Sequence, residues 1–550
     1  MIKWNTDMKR FTRVLALLLT FTMVAAACGS DDEPAAAPAA TAAPATTAAP
    51  AATAAPATTA APATTAAPAT TAAQPDPAEP VSITIAIESE PTLMDPQVTQ
   101  DGGMRRVAEN IYERLVEHDL NDPSILLPRL AEELPTRIND TTWEVKLRTG
   151  VTFHNGAPFN AETAKFSIER ELDPEFDSEL LGQIDTITGV EIIDDFTIRI
   201  TTGGPDPILP SRLYMIQMVE PGFVAEGNID TEAVGTGPYK MVEWDKGNHF
   251  DLERNEDYWG DLPQITNVRF VFIPENQTRV AALQAGDVQM ATGIAPESGG
   301  DVPQLVQRAG LEYPYLRMKN YEGPLESHDL RLAIAHAVNI DDYIEYIYLG
   351  GAARVKCQPL GAGVFGYNPD LEDYPYDPDL ARELVESSGY DGTPITIVAP
   401  IGRWLKFEEL SQAVVSDIEA VGIVVDFQLV PFDPWLDAFL VPYGEGQPDI
   451  AFSSTSNEIQ DADRLSSLIG SGARVSSFDN DELEAAMTAA RTTLDLDERD
   501  AAYQEILATN CEIVGIFSML TFLDNYGTAD NLDWTPRYDG TARAEDMTLN

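Results

Sequence analysis

Residues 395–430 restrict the architecture more than any other stretch. An apolar run at 395–399 precedes a helical pattern at about 405–421, then Gly422, then a second apolar run at 423–430. Leu410, Val414, Ile418 and Val421 recur at helical spacing and share one face. Two strands joined through a helix lie parallel in one sheet by a right-handed crossover. The stretch therefore reads as a βαβ unit, and the layer that holds it is α/β. With 550 residues the chain exceeds what one core can hold, so two or three lobes are expected.

The first eighty residues belong to none of these lobes. An apolar segment at 11–27 follows Lys3, Lys9, Arg10 and Arg13 and runs into Ala25, Ala26, Ala27 and Cys28. That pattern is a secretory signal peptide covering 1–27. A cysteine directly after small residues resembles a bacterial lipobox, which makes Cys28 a candidate for lipidation; ordinary signal cleavage beside an unmodified thiol is the alternative. From 31 to 80 the string AAPATT recurs, with Pro44, Pro50, Pro56, Pro62 and Pro68 at six-residue intervals. Proline at that period blocks helix, and alanine and threonine offer no core. Residues 28–80 are read as a lipid-anchor cysteine followed by a disordered tether. Such a tether averages roughly 40 Å end to end and lets a membrane-held domain stand off the surface.

The formal charge of −54 excludes a nucleic-acid partner. At high salt the Debye length falls to about 3–4 Å, so the charge is read as a solvated shell that keeps the protein soluble in salty water. Two further cysteines, Cys357 and Cys511, have the choice of pairing outside the cytosol or remaining two buried, inert thiols. A bridge between them would add about 4–5 kcal/mol in the loop-entropy model, less in practice.

Three strings within the folded part are more specific. Gly235-Thr236-Gly237-Pro238-Tyr239 enters a strand, a hairpin turns at Lys246-Gly247-Asn248, and Arg254-Asn255 precedes Tyr258-Trp259-Gly260. Residues 143–161 read W-E-V-K-L-R-x-G-V-x-F-H-x-G-x-P-F-x-A, with Trp143, Val145 and Leu147 on one side of a strand. Arg331, Ala333, Ala337-Val338-Asn339 and Asp341 lie in an apolar helical stretch at 330–349. Together these resemble the oligopeptide/dipeptide/nickel-binding substrate-binding proteins of ABC importers, solute-binding protein family 5. The resemblance implies an α/β, two-lobed periplasmic-binding-protein-like fold of type II, with an extra subdomain in the first lobe and crossover strands joining the lobes. Applied here, lobe I spans 81–318, lobe II spans 319–512, and 513–550 returns to lobe I. A helix is also expected at 110–117, and Asn160 is expected to cap a helix with Thr163 at its third position.

No enzyme signature stands out. G-x-S-x-G, H-E-x-x-H and a phosphate-binding glycine loop are missing, and His118, His154, His249, His328 and His336 are scattered. An extracellular hydrolase is the rival reading. No metal or cofactor is expected. In peptide-binding relatives an acidic residue of the second lobe holds the peptide amine, after a strand beginning Asp-Ile-Ala-Phe and a Gly-Trp segment. Asp449-Ile450-Ala451-Phe452 matches that start, Thr455 stands where the tryptophan would be, and Glu458 and Asp461 fall where the acids would be. They are either the amine anchor or solvated loop acids. Trp404, on the loop entering the βαβ helix, either stacks on a ligand or packs the lobe. Asn320 and Tyr321 at the expected crossing, and Asp101-Gly102-Gly103, complete the candidates.

The resemblance thus implies an extracytoplasmic, lipid-anchored monomer on the outer face of the cell membrane. It would capture a small-molecule ligand, most plainly a peptide, and deliver it to an ABC permease served by ATPase subunits. A sensor presenting its ligand state to a receptor or kinase, or a binder of oligosaccharide, is the alternative.

Overall fold

The computed structural model describes residues 80–98, 102–176, 178, 180–442, 444, 446–469, 476 and 480–550. The signal peptide, Cys28, the tether up to residue 79 and Asp101 lie outside the described residues. The described chain belongs to one unit, Pro77–Asn550, built on two large sheets.

The first sheet has eight strands. Its order is Gln304–Ala309, Leu520–Thr528, Met290–Ala291, Ser82–Ile87, Asn267–Phe272, His249–Arg254 and Tyr239–Asp245, with Ala352–Arg354 added beside Leu520–Thr528. Ser82–Ile87 runs parallel to Asn267–Phe272. Ile83, Ile85 and Ile87 are buried with Phe250, Val268 and Phe270 in the core beneath it. A four-stranded antiparallel sheet, Thr136–Asn139, Thr142–Lys146, Thr197–Thr202 and Ile187–Asp194, forms the subdomain. Trp143, Val145 and Leu147 point into its core.

The second sheet has five strands: Val425–Pro431, Ile395–Ile401, Ile450–Thr455, Tyr313–Met318 and Ile516–Ser518. Ile395–Ile401 is parallel to the strands on both sides of it. The helix of the βαβ unit is Phe407–Ala420, and its Leu410, Val414 and Ile418 are fully buried against the sheet. The apolar spacing read from the sequence therefore forms the βαβ unit as expected.

Chain crossings between the sheets are tight. Gln304–Ala309 pairs in the first sheet and Tyr313–Met318 in the second, so the outward crossing occupies residues 310–312. The return falls at Met519, between Ile516–Ser518 and Leu520–Thr528. Tyr313–Met318, part of the stretch 313–321 read from the sequence as the crossing between lobes, is thus a strand of the second sheet.

Several local expectations are corrected. The helix read at 110–117 lies earlier, at Gly102–Ala108. Residues 110 and 111 are instead held by long-range bonds: their carbonyls accept from the Tyr239 and Gly237 amides at 3.2 and 2.9 Å. The helix read at 330–349 begins at His328, capped by Ser327, breaks after Ala337, and resumes as Ile340–Asp342 and a π-helical turn at Tyr343–Ile347. Asn160 does cap Ala161–Leu172, and Thr163 answers it in a reciprocal capping box, its hydroxyl accepting from the Asn160 amide at 3.0 Å.

The family strings clasp one another. A Cβ on Gly235 would stand 1.9 Å from the Ile111 carbonyl oxygen, and one on Gly237 would stand 2.6 Å from it. Glycine is required there by close backbone approach. Glu113 collects the Thr236 hydroxyl, the Tyr258 hydroxyl and the Trp259 indole at 2.8–2.9 Å. His154 contacts the Gly237 carbonyl at 2.9 Å, and burial pushes its imidazole down to about 4. The strings at 143–161 and 235–260 build the first lobe and do not line the cleft described below.

Candidate functional site

Strand direction decides which loops meet between the sheets. Tyr313 lies opposite Thr455, and Met318 lies opposite Ile450. The end of Ile450–Thr455 is therefore beside the crossing, and the loop after its parallel neighbour Ile395–Ile401 emerges at the same edge. In the first sheet the ends of Ser82–Ile87 and Met290–Ala291 face that edge, where Leu520–Thr528 begins. Carboxyl ends of parallel strands are where open α/β sheets leave room for ligands.

Two connected chambers occupy this place. The larger, about 410 Å³, is lined by Glu88, Arg106, Glu312, Leu405, Asp524 and Tyr526 among others. The smaller, about 200 Å³, is lined by Gly102, Arg105, Ser456, Glu458 and residues 538–541. Arg106, Leu311, Glu312 and Asp524 border both. Glu88, the arginines and Asp524 come from the first lobe, Leu405, Ser456 and Glu458 from the second, and Leu311 and Glu312 from the crossing itself.

The charges of this cleft differ in how well they are matched. Glu88 holds Arg106 at 2.9 Å and accepts the Thr292 hydroxyl at 2.6 Å. Burial alone would raise the Glu88 carboxyl, but Arg106 and Thr292 outweigh it and hold it below its ordinary range. Arg105 donates to the Asp539 carbonyl at 3.4 Å, and its Nε is buried without a partner among the described residues. Asp539 keeps its charge: burial opposes ionisation, but Arg537, Arg543 and Arg105 overcome it. Glu312 is raised by burial, against hydrogen bonds from Ser454 (2.7 Å) and Trp404. At the mouth, Lys406 reaches across to Glu297 at 3.3 Å, so the lobes touch there.

A family model described as "Bacterial extracellular solute-binding proteins, family 5 Middle" matches residues 126–477. The chain belongs to this family. Proteins similar to it include the glutathione-binding protein GsiB of Pectobacterium atrosepticum, 28% identical over 351 residues, 62% of this chain and 68% of the relative. The heme-binding protein A of Haemophilus influenzae is 26% identical over 440 residues, 72% of this chain and 79% of the relative. The dipeptide-binding protein of Escherichia coli is 27% identical over 338 residues, 55% of this chain and 62% of the relative. All three relatives are named as binding proteins. Among solved structures, HbpA2 from Haemophilus parasuis superimposes with a TM-score of 0.76 at 19% identity, covering 85% of this chain and 100% of that one. DppA from Helicobacter pylori, in complex with the peptide STSA, gives 0.69 at 23%, covering 85% and 98%. The two-lobed fold is thereby shown.

Measured against this family 5 cleft, the sequence candidates separate. Glu458 lines the smaller chamber. Asp461 does not: Arg499 donates to each of its oxygens at 2.7 Å, and the Asp463 amide adds a third bond at 2.8 Å. With its carboxylate committed inside the lobe, Asp461 is a structural group, which corrects its reading as an amine anchor. Trp404 packs at 4.7 Å on Phe407 and edge-on at 5.7 Å to Trp435, at the margin of the lobe core. Its role is packing together with its bond to Glu312; the next residue, Leu405, reaches the chamber. Asn320 and Tyr321 are corrected as well. They follow Met318 at the far end of the strand, where the Tyr321 hydroxyl meets Gln447 and the Gly444 amide, each at 3.0 Å. Gly102 lines the smaller chamber, and Gly103 packs under it, 2.7 Å from the Ser89 carbonyl if given a Cβ.

Cys357 and Cys511 form a disulfide, with Cα atoms 5.4 Å apart. Sequence reasoning passed over Glu88, Arg105, Arg106, Glu312, Asp524 and Tyr526. Each looks ordinary in a chain this rich in acids; their convergence at the crossing is the informative signal. Among the described residues no helix is long and apolar enough to cross a membrane. Glu243, His249 and Asp251 cluster within 4.8 Å on the hairpin, where Arg269 already claims Asp251.

Proposed function

We propose that this protein is an extracytoplasmic capture subunit. It closes its two lobes on a peptide-like solute and hands that solute to an ABC permease, with ATP hydrolysed by partner subunits. The carrying observation is a cleft to which each lobe contributes a charge of opposite sign: Arg105 from the first and Glu458 from the second line one chamber. A zwitterion with separated amine and carboxylate complements that pair, and the oriented bonds it would form are strong because they are charge-assisted. Narrow crossings at 310–312 and Met519 fit hinge motion of the lobes. Relatives named for binding glutathione and dipeptides, and a neighbour holding a tetrapeptide, support this class of ligand. Among the described residues neither chamber is lined by histidine or cysteine, the side chains a haem iron or nickel ion would draw on.

The protein acts as a monomer, and Cys28 carries the lipid that holds it to the outer face of the membrane. Mass spectrometry of solute released from the purified protein, followed by thermal shift with that solute, tests the reading. A co-purifying peptide-like compound that raises the melting midpoint is expected. A broad peptide library that leaves the midpoint unmoved would refute it. Cys28→Ser is expected to release the protein into the medium, and retention on the membrane would remove the anchor.

A further inference from the structure

Building on that reading, we infer that the larger chamber receives a cationic group of the ligand, an ammonium or guanidinium, so that the cargo is a peptide-like solute bearing a basic side chain. The two arginines that line the chamber are already committed. Arg106 is held by Glu88. Arg279 is spent on four backbone carbonyls, those of Thr292, Ile273, Pro274 and Gly293, at 2.6–3.0 Å. What remains on the wall is negative. The Asp524 carboxylate has neither a hydrogen bond nor an ion pair among the described residues, and Glu312 has the Ser454 hydroxyl and the Trp404 indole, with the Arg403 charge acting on it from beyond ion-pair distance.

A third group points to the same occupant. Tyr526 is 1% exposed, lines this chamber, and its hydroxyl has no partner among the described residues. A buried hydroxyl left unpaired is costly, and a ligand N–H would satisfy it. The space around Asp524 is also kept open. A Cβ on Gly310 would stand 3.2 Å from its Oδ2, although the backbone there is not left-handed and does not itself demand glycine. The glycine leaves room for something larger to approach the carboxylate.

The electrostatics agree with this geometry. Burial pushes the Asp524 carboxyl up to about 6, with Arg106 opposing, and burial raises Glu312 as well. Neither carboxylate touches an arginine directly, and the charges of Arg106 and Arg105 near Asp524 and of Arg403 near Glu312 do not offset their burial. A neutral ligand closing the lobes over them would strip their water and return nothing, whereas a cation would replace the water with charge-assisted bonds. A basic peptide would then place its carboxylate toward Arg105, its amine toward Glu458 and its side chain between Asp524 and Glu312.

Matched peptides test this by calorimetry on the purified mature protein: Ala-Lys-Ala against Ala-norleucine-Ala, and Ala-Arg-Ala against Ala-citrulline-Ala. The basic member of each pair is expected to bind at least tenfold more tightly. In Asp524→Asn, and separately in Glu312→Gln, that ratio is expected to fall toward one, with circular dichroism checking the fold of each variant. Equal affinity within the wild-type pairs would overturn the cation chamber while leaving the peptide reading intact. Spermidine serves as a peptide-free cation. If it binds, loses affinity in Asp524→Asn, and no peptide binds, the chamber stands and the peptide reading falls. If neither the peptides nor spermidine bind, both fall.

Discussion

Glu458 and Asp461 lie three residues apart, and the structure gives them different work, so a pair of substitutions separates anchor from scaffold. Arg499 is completely buried and its fork is filled by the two Asp461 oxygens at 2.7 Å. The guanidinium also lies between the Phe365 and Tyr503 rings, at 4.9 and 4.8 Å. Asp463 offers no replacement, because it already serves Arg212 at 3.2 Å and Arg491 at 2.9 Å. Asp461→Asn leaves a buried cation without its counter-charge, which costs about 3–5 kcal/mol. For a cooperative unit the size of one lobe this corresponds to a melting midpoint lower by roughly 10 °C. Glu458→Gln, on the cleft wall, is expected to leave the midpoint within about 2 °C, since substitutions away from buried networks change stability little. Scanning calorimetry measures the first effect, and titration with a peptide ligand at a temperature where both variants are folded measures the second. Affinity is expected to fall in Glu458→Gln and to hold in folded Asp461→Asn. The reverse pattern, an unshifted midpoint with lost binding in Asp461→Asn, would refute the assignment.

Two further outcomes follow from the geometry. Reducing the Cys357–Cys511 bridge, which spans 154 residues, removes at most about 5 kcal/mol in the loop-entropy model; a thiol count of zero in the denatured, unreduced Cys28→Ser protein and a lower midpoint with reductant are expected, and two titratable thiols without reductant would contradict the bridge. The Asp524 carboxyl, raised to about 6, binds its proton more tightly folded than unfolded, so its contribution to stability diminishes as pH rises from about 4 to 6. Binding of a basic ligand has the opposite sign, because it needs the ionised form. Ala-Lys-Ala should bind about tenfold more weakly at pH 5 than at pH 7.5 by proton competition at this group. The groups facing it are Glu88, Arg106, Glu312, Arg105 and Asp539; flat affinity over that interval would show that Asp524 does not meet the cation.

The sequence alone determined whatever is encoded over a turn or two of chain. Apolar spacing announced Phe407–Ala420 between two parallel strands, alternation announced Thr142–Lys146, and Asn160 announced the start of Ala161–Leu172. Each of these depends on neighbours within a few residues, where a side chain's preference acts directly. The order of its strings was enough to indicate the family. Gln289 shows the limit: its side-chain oxygen accepts the Thr84 amide at 2.9 Å across 205 residues, a partner that nothing local announces. The helix expected at 110–117 failed for a similar cause, since residues 110 and 111 give their carbonyls to a distant strand.

Tertiary structure decided which acids face the ligand. In a chain with 89 acidic residues, nothing local distinguishes Asp461, neutralised by an arginine 38 positions away, from Glu458 beside it. Nor does anything local mark Asp524, whose neighbours in the cleft come from residues near 88, 106, 312 and 458. A carboxylate's role depends on the charges and water around it, and those are set by packing between segments hundreds of residues apart.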